Sequence, residues 1–202
     1  MEREAIESFE HKGFKISIYQ DESYDQSPSD WHDDNLFLVH YHRDFDVRRD
    51  DIITKEDCER KAEGERIPQD KKYHFFPTKA YIHSGVVLAL EESGTMFPDE
   101  RWDVSRIGHV LVSKKEAKTR KVAYKLASGL IEEWNSCLSG DVYGFTVTKD
   151  NKCKTCGHVE TEILDSCWGF VGDMEDCKKK AIVAAIVAAE GIVPDKQLKL
   201  AL

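Results

Sequence analysis

Two cysteines at Cys-x-x-Cys spacing are the strongest chemical signal in this 202-residue chain. Cys153 and Cys156 are followed by Gly157, whose missing Cβ permits the positive φ of a tight turn. Two thiolates on such a turn can both reach about 2.3 Å from a common point, as a zinc ion requires. The motif therefore predicts a zinc knuckle.

A structural zinc ion needs four ligands, and this knuckle provides two of them. His158 and Cys167 are the local candidates for the other positions, and the more distant ones are Cys137 and Cys177. The alternative is a hairpin tip with two free thiols. A thioredoxin-like redox role is disfavoured, because it requires the motif at a helix N-terminus after a βαβ pattern.

A second candidate site is built from histidines. His40 and His42 alternate on a predicted strand, so both rings point to the same face. With His83 or nearby carboxylates they predict a divalent-metal site or a general base, as in a hydrolase of nucleic acid or nucleotides. The carboxylates are Asp30, Asp33 and Asp34. The alternative is a histidine that ends the strand and hydrogen-bonds to a neighbour.

A basic cluster opens the first of two main predicted helices, over about 114–138. Positive charge at a helix N-terminus opposes the helix dipole, and a bound anion would offset that cost. The cluster predicts binding of nucleic acid or of an acidic partner through the Lys114–Lys125 face, and the alternative is a solvated helix face. Its members are Lys114, Lys115, Lys118, Arg120, Lys121 and Lys125.

The net charge of −9 lies entirely in the first 60 residues, which hold 17 acidic and 8 basic side chains. This imbalance argues against a phosphate-binding surface there, since nucleic-acid affinity comes from Lys and Arg. The acidic loop Asp21–Asp34 predicts either a plain soluble surface or a patch that occupies a basic groove on another protein. Its candidate binding residues are Asp30, Trp31, Asp33, Asp34 and Asn35.

The elements that must position these residues are mostly strands. Apolar and polar residues alternate over Phe14–Ile18, and the turn Lys12-Gly13 precedes them, so a hairpin is predicted over Phe9–Tyr19. Further strands are predicted at Leu36–His42, at Lys79–Leu90 with an interruption at Ser84-Gly85, and at Ile107–Val112. A hairpin is predicted from Val142–Thr148 and His158–Leu164, and the stretch Gly64–Pro77 is predicted to be loop.

Three helices complete the prediction. Thr54 caps a short helix over Lys55–Ala62, Ser113 and Glu116 form a capping box for the helix over 114–138, and Asp173 caps a helix over 174–190. The order of elements predicts an α+β fold with a mostly antiparallel sheet, in a single domain over residues 1–202. The second half of the last helix, rich in Ala, Ile and Val, is apolar nearly all round, which indicates burial or a homodimer contact, together with Leu198, Leu200 and Leu202.

The chain carries no pattern typical of export or membrane insertion. Its first 20 residues lack an apolar core, and the longest apolar run, near Ala181–Ala189, is far shorter than the roughly 18–20 residues that span a bilayer. We therefore expect a cytoplasmic protein with no membrane partner, whose six cysteines are thiols or metal ligands.

Several short segments together resemble a widespread family of uncharacterised phage-encoded proteins. The family pattern contains W-D-N-L-G, H-S-G, G-D-V-Y-G-F and L-D-S-C-W-G-F in this order, and the chain departs from it at Phe37, where the family has glycine. The matching segments are KGFKISIYQDE, 30–36, HYHRDF, 82–85, 139–145 and 164–170. The resemblance implies a small viral accessory protein in the cytoplasm of a bacterial or archaeal host.

Three functions are consistent with these features. The first is a non-catalytic binding protein that interferes with a host defence or regulatory complex through its acidic surface, with a host or phage protein as partner. The second is a metal-dependent hydrolase of nucleic acid or nucleotides, and the third is a zinc-containing nucleic-acid-binding protein. Templates for P-loops, Rossmann folds, zinc proteases and nucleophile elbows are absent from the sequence.

Overall fold

The computed structural model confirms an α+β fold with antiparallel sheets. It describes residues 3–28, 31–41, 49–98 and 101–190. The elements in chain order are β1 (Glu7–His11), β2 (Phe14–Gln20), β3 (Leu36–His40), α1 (Lys55–Ala62), β4 (Tyr73–Ile82), β5 (Val86–Leu90), β6 (Val104–Ser113), α2 (Arg120–Ser139), β7 (Val142–Lys152), β8 (Val159–Val171) and α3 (Met174–Ala189). Short 3-10 helices lie at Pro68–Lys71 and Glu91–Ser93.

The chain forms two compact units, each with one four-stranded sheet. One unit is Met1–Tyr24 with Gly140–Leu202, here called the terminal unit, and the other is Asp25–Ser139, the central unit. The prediction that both belong to a single domain stays a prediction.

The central unit places helices on both faces of its sheet. Its strands have the order β3-β6-β4-β5, and every pair is antiparallel. Leu38 and Phe76 pack with Leu130 of α2 on one face. On the other face Phe75 and Leu111 share a buried cluster with Cys58 of α1 and with the segment that follows it. The sheet is therefore covered on both sides, which explains its five consecutive buried residues in β3.

The terminal unit covers one face of its sheet with α3. Its strand order is β1-β2-β7-β8, again antiparallel. The predicted alternation in β2 is confirmed, because Phe14, Ile16 and Ile18 all lie in the core beneath α3. Lys12 and Gly13 both have positive φ, at 51° and 84°, which is the geometry of a tight two-residue hairpin turn.

Gly144 of β7 is required by close packing within the terminal unit. A Cβ at this position would lie 2.2 Å from Cε3 of the Trp168 indole on the neighbouring strand β8. The indole also lies 5.7 Å from the ring of Tyr19 and beneath the guanidinium of Arg3, at 4.6 Å. The glycine of the Gly-Asp-Val-Tyr-Gly-Phe segment and the Trp of the Cys-Trp-Gly-Phe segment thus form one packing unit.

Two helices begin and end as the sequence predicts. α1 covers Lys55–Ala62, and the Thr54 hydroxyl accepts from the Asp57 N–H at 3.2 Å. α3 follows its predicted cap, Asp173, whose carboxylate accepts from the Glu175 N–H. Ala181 and Ala185 of α3 are buried against the sheet, so core packing accounts for much of its apolar surface. The three leucines of the C-terminal tail lie outside the described residues.

The predicted start of the second helix is wrong. α2 begins at Arg120 instead of near residue 114, because Ser113 is the last residue of β6 and pairs there with Tyr73. The Ser113 hydroxyl accepts from the Lys115 N–H in a turn, and Thr119 serves as the cap by accepting from the Val122 N–H. The strand pairing outcompetes the local capping signal.

Strand boundaries also differ from the prediction. The predicted loop up to Pro77 is strand from Tyr73, and the predicted interrupted strand over 79–90 is the hairpin of β4 and β5. β7 and β8 pair as far as Lys152 and Val159, so their connecting tip is 153–158 instead of 149–157. No helix within the described ranges is long and apolar enough to cross a membrane.

Candidate functional site

A cleft of about 700 Å³ lies in the central unit beside Tyr73–Pro77, the half of β4 that does not pair with β5. β5 pairs only with Thr78–Ile82, so within the described chain no strand covers Tyr73–Pro77 on that side. We call this site the cationic cleft. Its lining residues are Lys61, Arg66, Ile67, Asp70, Lys71, Tyr73, His74, Phe75, Pro77, Glu92, His109, Lys114 and Arg120.

The cleft is positively charged although the chain as a whole is acidic. Five basic side chains line it against the two carboxylates of Asp70 and Glu92, which leaves three positive charges in excess when the histidines are neutral. Arg66 and Lys71 form no ion pair with any residue that the structure describes. Such local charge excess raises the local concentration of anions.

Several of the cations are held in place by specific contacts. Lys61 of α1 contacts the Asp70 carboxylate at 2.6 Å, and the Lys114 ammonium donates to the Asp70 backbone carbonyl at 2.6 Å. Arg120, the first residue of α2, donates to the Phe75 carbonyl at 3.3 Å and forms an ion pair with Glu92. Its guanidinium therefore binds a backbone carbonyl of β4 in the part of the strand that does not pair with β5.

Asp70 organises the segment between α1 and β4. Its carboxylate also accepts from the Ile67 N–H at 2.9 Å, so it ties the short 3-10 helix to its own start. Burial acts to raise the pKa of Asp70, but hydrogen bonds from Lys61 and Ile67 outweigh it and hold the pKa below its ordinary value. The carboxylate is thus ionised at neutral pH and fixes Lys61, while the backbone carbonyl of the same residue fixes Lys114.

Aromatic and apolar side chains form the base of the cleft. Tyr73 and Phe75 are buried on the face of β4 that α1 covers, and Pro77 follows on the same face. The Lys61 ammonium lies 5.1 Å from the centre of the Phe75 ring. Cations beside an aromatic surface suit a ligand that has both a charged group and a flat ring.

His109 of β6 is a buried polar residue at the bottom of the cleft. It is 1% exposed, its ring meets Phe75 edge-on at 5.9 Å, and its Nδ1 has no hydrogen-bond partner among the described residues. Burial, with repulsion from Arg106 and Lys61, lowers the pKa of His109 to about 4. The imidazole is therefore neutral at pH 7.

The predicted histidine site is not assembled by the described residues. His40 is fully buried at the end of β3 and lies opposite Gly108, which is aligned with Thr78 of β4. His83 lies five residues beyond Thr78, about 17 Å farther along the sheet, where it pairs with Asp103 at 3.2 Å. His42 lies outside the described residues. The grouping of His40 with His83 is therefore wrong.

The acidic loop is partly neutralised by a cation from its own unit. Arg49 forms an ion pair with Asp34, and Asp33 is exposed with a φ of 49°. Asn35 accepts through its backbone carbonyl from the Ser113 N–H at 2.7 Å, which ties the loop end to β6. Trp31 is half-buried, and Asp30 lies outside the described residues. Binding of a basic partner by this loop stays a prediction.

The predicted basic cluster contributes two of its members to the cationic cleft. Lys114 and Arg120 line it, while the other four are exposed residues that do not: Lys115, Lys118, Lys121 and Lys125. The remaining basic residues of the cleft are not among the predicted site residues: Lys61, Arg66 and Lys71. Lys61 lies near the end of α1, and Arg66 and Lys71 lie in the basic, proline-containing stretch before β4 that is predicted to be loop.

The cysteine motif is placed at the tip between β7 and β8. Cys153 and Cys156 are both exposed there, next to His158. Cys167 lies eight residues past Val159 on β8, which places it about 25 Å from the tip. Within the described ranges no three His, Cys, Asp or Glu side chains are grouped to hold a metal ion. The structure therefore does not bring Cys167 to the knuckle.

Comparisons with known protein families, with curated proteins and with solved structures find no match to this chain.

Proposed function

We propose that this protein is a non-catalytic binding protein whose cationic cleft takes a phosphate-bearing small molecule of nucleotide size. The observation that carries the proposal is the excess of three positive charges around a cleft of about 700 Å³, in a chain whose net charge is −9. Selective accumulation of basic residues at one concave place on an acidic protein favours an anionic ligand.

The size of the cleft supports a small ligand. Small-molecule sites commonly measure roughly 300–1,000 Å³ and combine an apolar lining with a few placed polar groups. Tyr73 and Phe75 provide the apolar part, next to which a base or sugar ring would lie. The basic residues at the rim provide the groups for phosphate.

The basic residues divide into two roles in this proposal. Arg66 and Lys71 have no ion-pair partner among the described residues, so their charges are available to phosphate oxygens. Lys61 and Arg120 are already held by carboxylates that offset their charge, so they contribute fixed hydrogen-bond donors that lose little freedom when the ligand binds. An arginine can also bind phosphate through two parallel hydrogen bonds.

The protonation state of His109 supports binding without catalysis. A general base works best when its pKa is close to the working pH. The pKa of His109 is about 4, so at pH 7 the imidazole is neutral and only weakly basic. We therefore assign His109 a role in binding, as a neutral polar group at the bottom of the cleft.

The experiment is calorimetric titration of ATP, ADP, AMP, adenosine and inorganic phosphate into the purified protein. We expect affinity to rise with the number of phosphates and to fall with added salt. The variant Arg66→Glu/Lys71→Glu should weaken binding at least about tenfold, because each charge-assisted hydrogen bond contributes about 1.5–3 kcal/mol.

The matched control changes the same charge outside the cleft. Lys121→Glu/Lys125→Glu alters the net charge equally, on exposed residues of α2 that do not line the cleft. It should weaken binding clearly less than Arg66→Glu/Lys71→Glu does, because neither side chain lines the cleft and salt screens exposed charges. Equal loss in both variants, or adenosine binding as tightly as ATP, would contradict the proposal.

The biological setting of this proposal rests on the motif resemblance alone. We propose that the protein is a phage accessory protein, acts in the host cytoplasm, and has a host or phage protein as a further partner. Capture of interacting proteins from a host lysate, with the Arg66→Glu/Lys71→Glu variant in parallel, separates a partner that needs the cleft from one that does not.

A further inference from the structure

The tip of the β7–β8 hairpin has the backbone of a metal-binding knuckle. The Cys153 N–H donates to the His158 carbonyl at 2.7 Å, and the Gly157 N–H donates to the Cys153 carbonyl at 2.9 Å. Gly157 has a φ of +72°, which allows the chain to turn back under the two cysteines. The turn is therefore closed by its own hydrogen bonds without help from neighbouring elements.

The two sulfur atoms of the tip converge. The Cys153 sulfur accepts from the backbone N–H groups of Thr155 and Cys156 and interacts with the Cys156 thiol. Hydrogen bonds donated to a sulfur atom stabilise its thiolate form over the thiol. Thiolates, not thiols, are the ligands that zinc binds.

In the part of the chain that the structure describes, the tip provides half of a structural zinc site. Such a site has four ligands, and among the described residues no third His, Cys, Asp or Glu side chain joins Cys153 and Cys156. Cys167 is about 25 Å away along β8, and Cys177 is buried on the face of α3 that packs against the sheet. The described residues therefore leave two positions of such a site unfilled.

The surroundings of the tip suit a second copy. Every residue from Lys149 to Ile163 is exposed, so the outer end of the hairpin is accessible from both faces. Val159 and Ile163 are exposed apolar residues on this arm, at 47% and 64%, and they would gain from being covered. Lys152 and Lys154 flank the cysteines and would offset negative charge at the tip.

We propose that two copies of this chain share one zinc ion through their hairpin tips, each contributing Cys153 and Cys156. Four thiols release four protons to solvent and bind Zn²⁺ as thiolates, so the centre carries a net charge of −2 and no oxidation occurs. The two lysines of each copy place four positive charges around it. The site is in the terminal unit, so this proposal is independent of the cationic cleft.

The test is a titration of reduced, chelator-treated protein with Co²⁺ and then with Zn²⁺. We expect saturation at one metal per two chains, the intense visible absorption of a tetrahedral cobalt tetrathiolate, and a doubled mass in light scattering. Cys153→Ser and Cys156→Ser should each abolish the tetrathiolate spectrum and the doubling. Both changes are at exposed positions, so the variants should remain folded.

Matched controls are Cys167→Ser and His158→Ala, which should retain the stoichiometry, spectrum and dimer. Saturation at one metal per chain with an unchanged monomer mass would overturn the proposal, as would metal binding that survives Cys153→Ser. Failure to bind either metal would overturn it equally. None of these results bears on ligand binding in the cationic cleft, which is measured separately.

Discussion

Buried His109 should make the central unit lose stability as the pH falls from 7 to 4. Its pKa is about 4 in the folded protein and 6.5 without the fold, because burial and nearby cations oppose the charged imidazole. Between these values the unfolded chain binds a proton that the folded chain does not. The contribution of His109 to stability is therefore complete above pH 6.5 and is lost progressively towards pH 4.

The magnitude follows from the two pKa values. A difference of one pKa unit corresponds to about 1.4 kcal/mol, so the fall from 6.5 to about 4 is worth roughly 3 kcal/mol by pH 4. This is a large part of the stability of a small domain, which is typically about 5–15 kcal/mol.

The assay is urea unfolding at pH 7, 6, 5 and 4, followed by the fluorescence of the four tryptophans, of which Trp134 is buried in the same unit. His109→Gln removes the titrating group, so the free energy of unfolding should depend less on pH, by about 3 kcal/mol over this range. His83→Gln is the matched control, since the His83 side chain is 66% exposed, and it should keep the pH dependence of the original protein.

A result in which His109→Gln and the original protein lose stability equally would refute this reasoning. It would mean that the imidazole is protonated at little cost inside the fold. The pKa of His109 also bears on the proposed ligand, because the negative charge of phosphates bound at the rim of the cleft would raise it. Affinity for ATP should then increase as the pH falls from 7 to 5, and this increase should be absent in His109→Gln.

Further predictions concern glycines and thiols. Gly129→Ala in the middle of α2 should stabilise the protein by about 0.5–1 kcal/mol in thermal unfolding, because an added Cβ meets no atom within 4 Å. Gly144→Ala should destabilise it by about 1–3 kcal/mol through its clash with Trp168, and Trp168→Ala in the same chain should relieve part of that loss. Alkylation of Cys153 should show a midpoint near pH 7, whereas Cys58, whose pKa burial raises to about 12, should remain unlabelled in the folded protein. A missing stabilisation in Gly129→Ala, an unchanged melting temperature in Gly144→Ala, or equal labelling of the two cysteines would contradict these expectations.

Local patterns in the sequence determined much of the secondary structure. The β1–β2 hairpin follows from period-two alternation around Lys12-Gly13, and α1 follows from the Thr54 cap and the residues after it. Each of these signals involves residues only a few positions apart. Their interactions form largely within the element itself, so the sequence predicts the element without knowledge of the fold.

Tertiary pairing decided where local signals compete. Ser113 has a good capping sequence after it, but it stays in β6 because its partner Tyr73 extends the sheet. The cationic cleft has the same origin. Lys61, His109 and Arg120 are far apart in sequence and meet because α1 covers one face of the sheet and β5 ends before it reaches Tyr73. The sequence by itself determined which residue types could bind an anion or a metal. The long-range pairing of strands and the packing of helices on the sheet decided which of those residues converge.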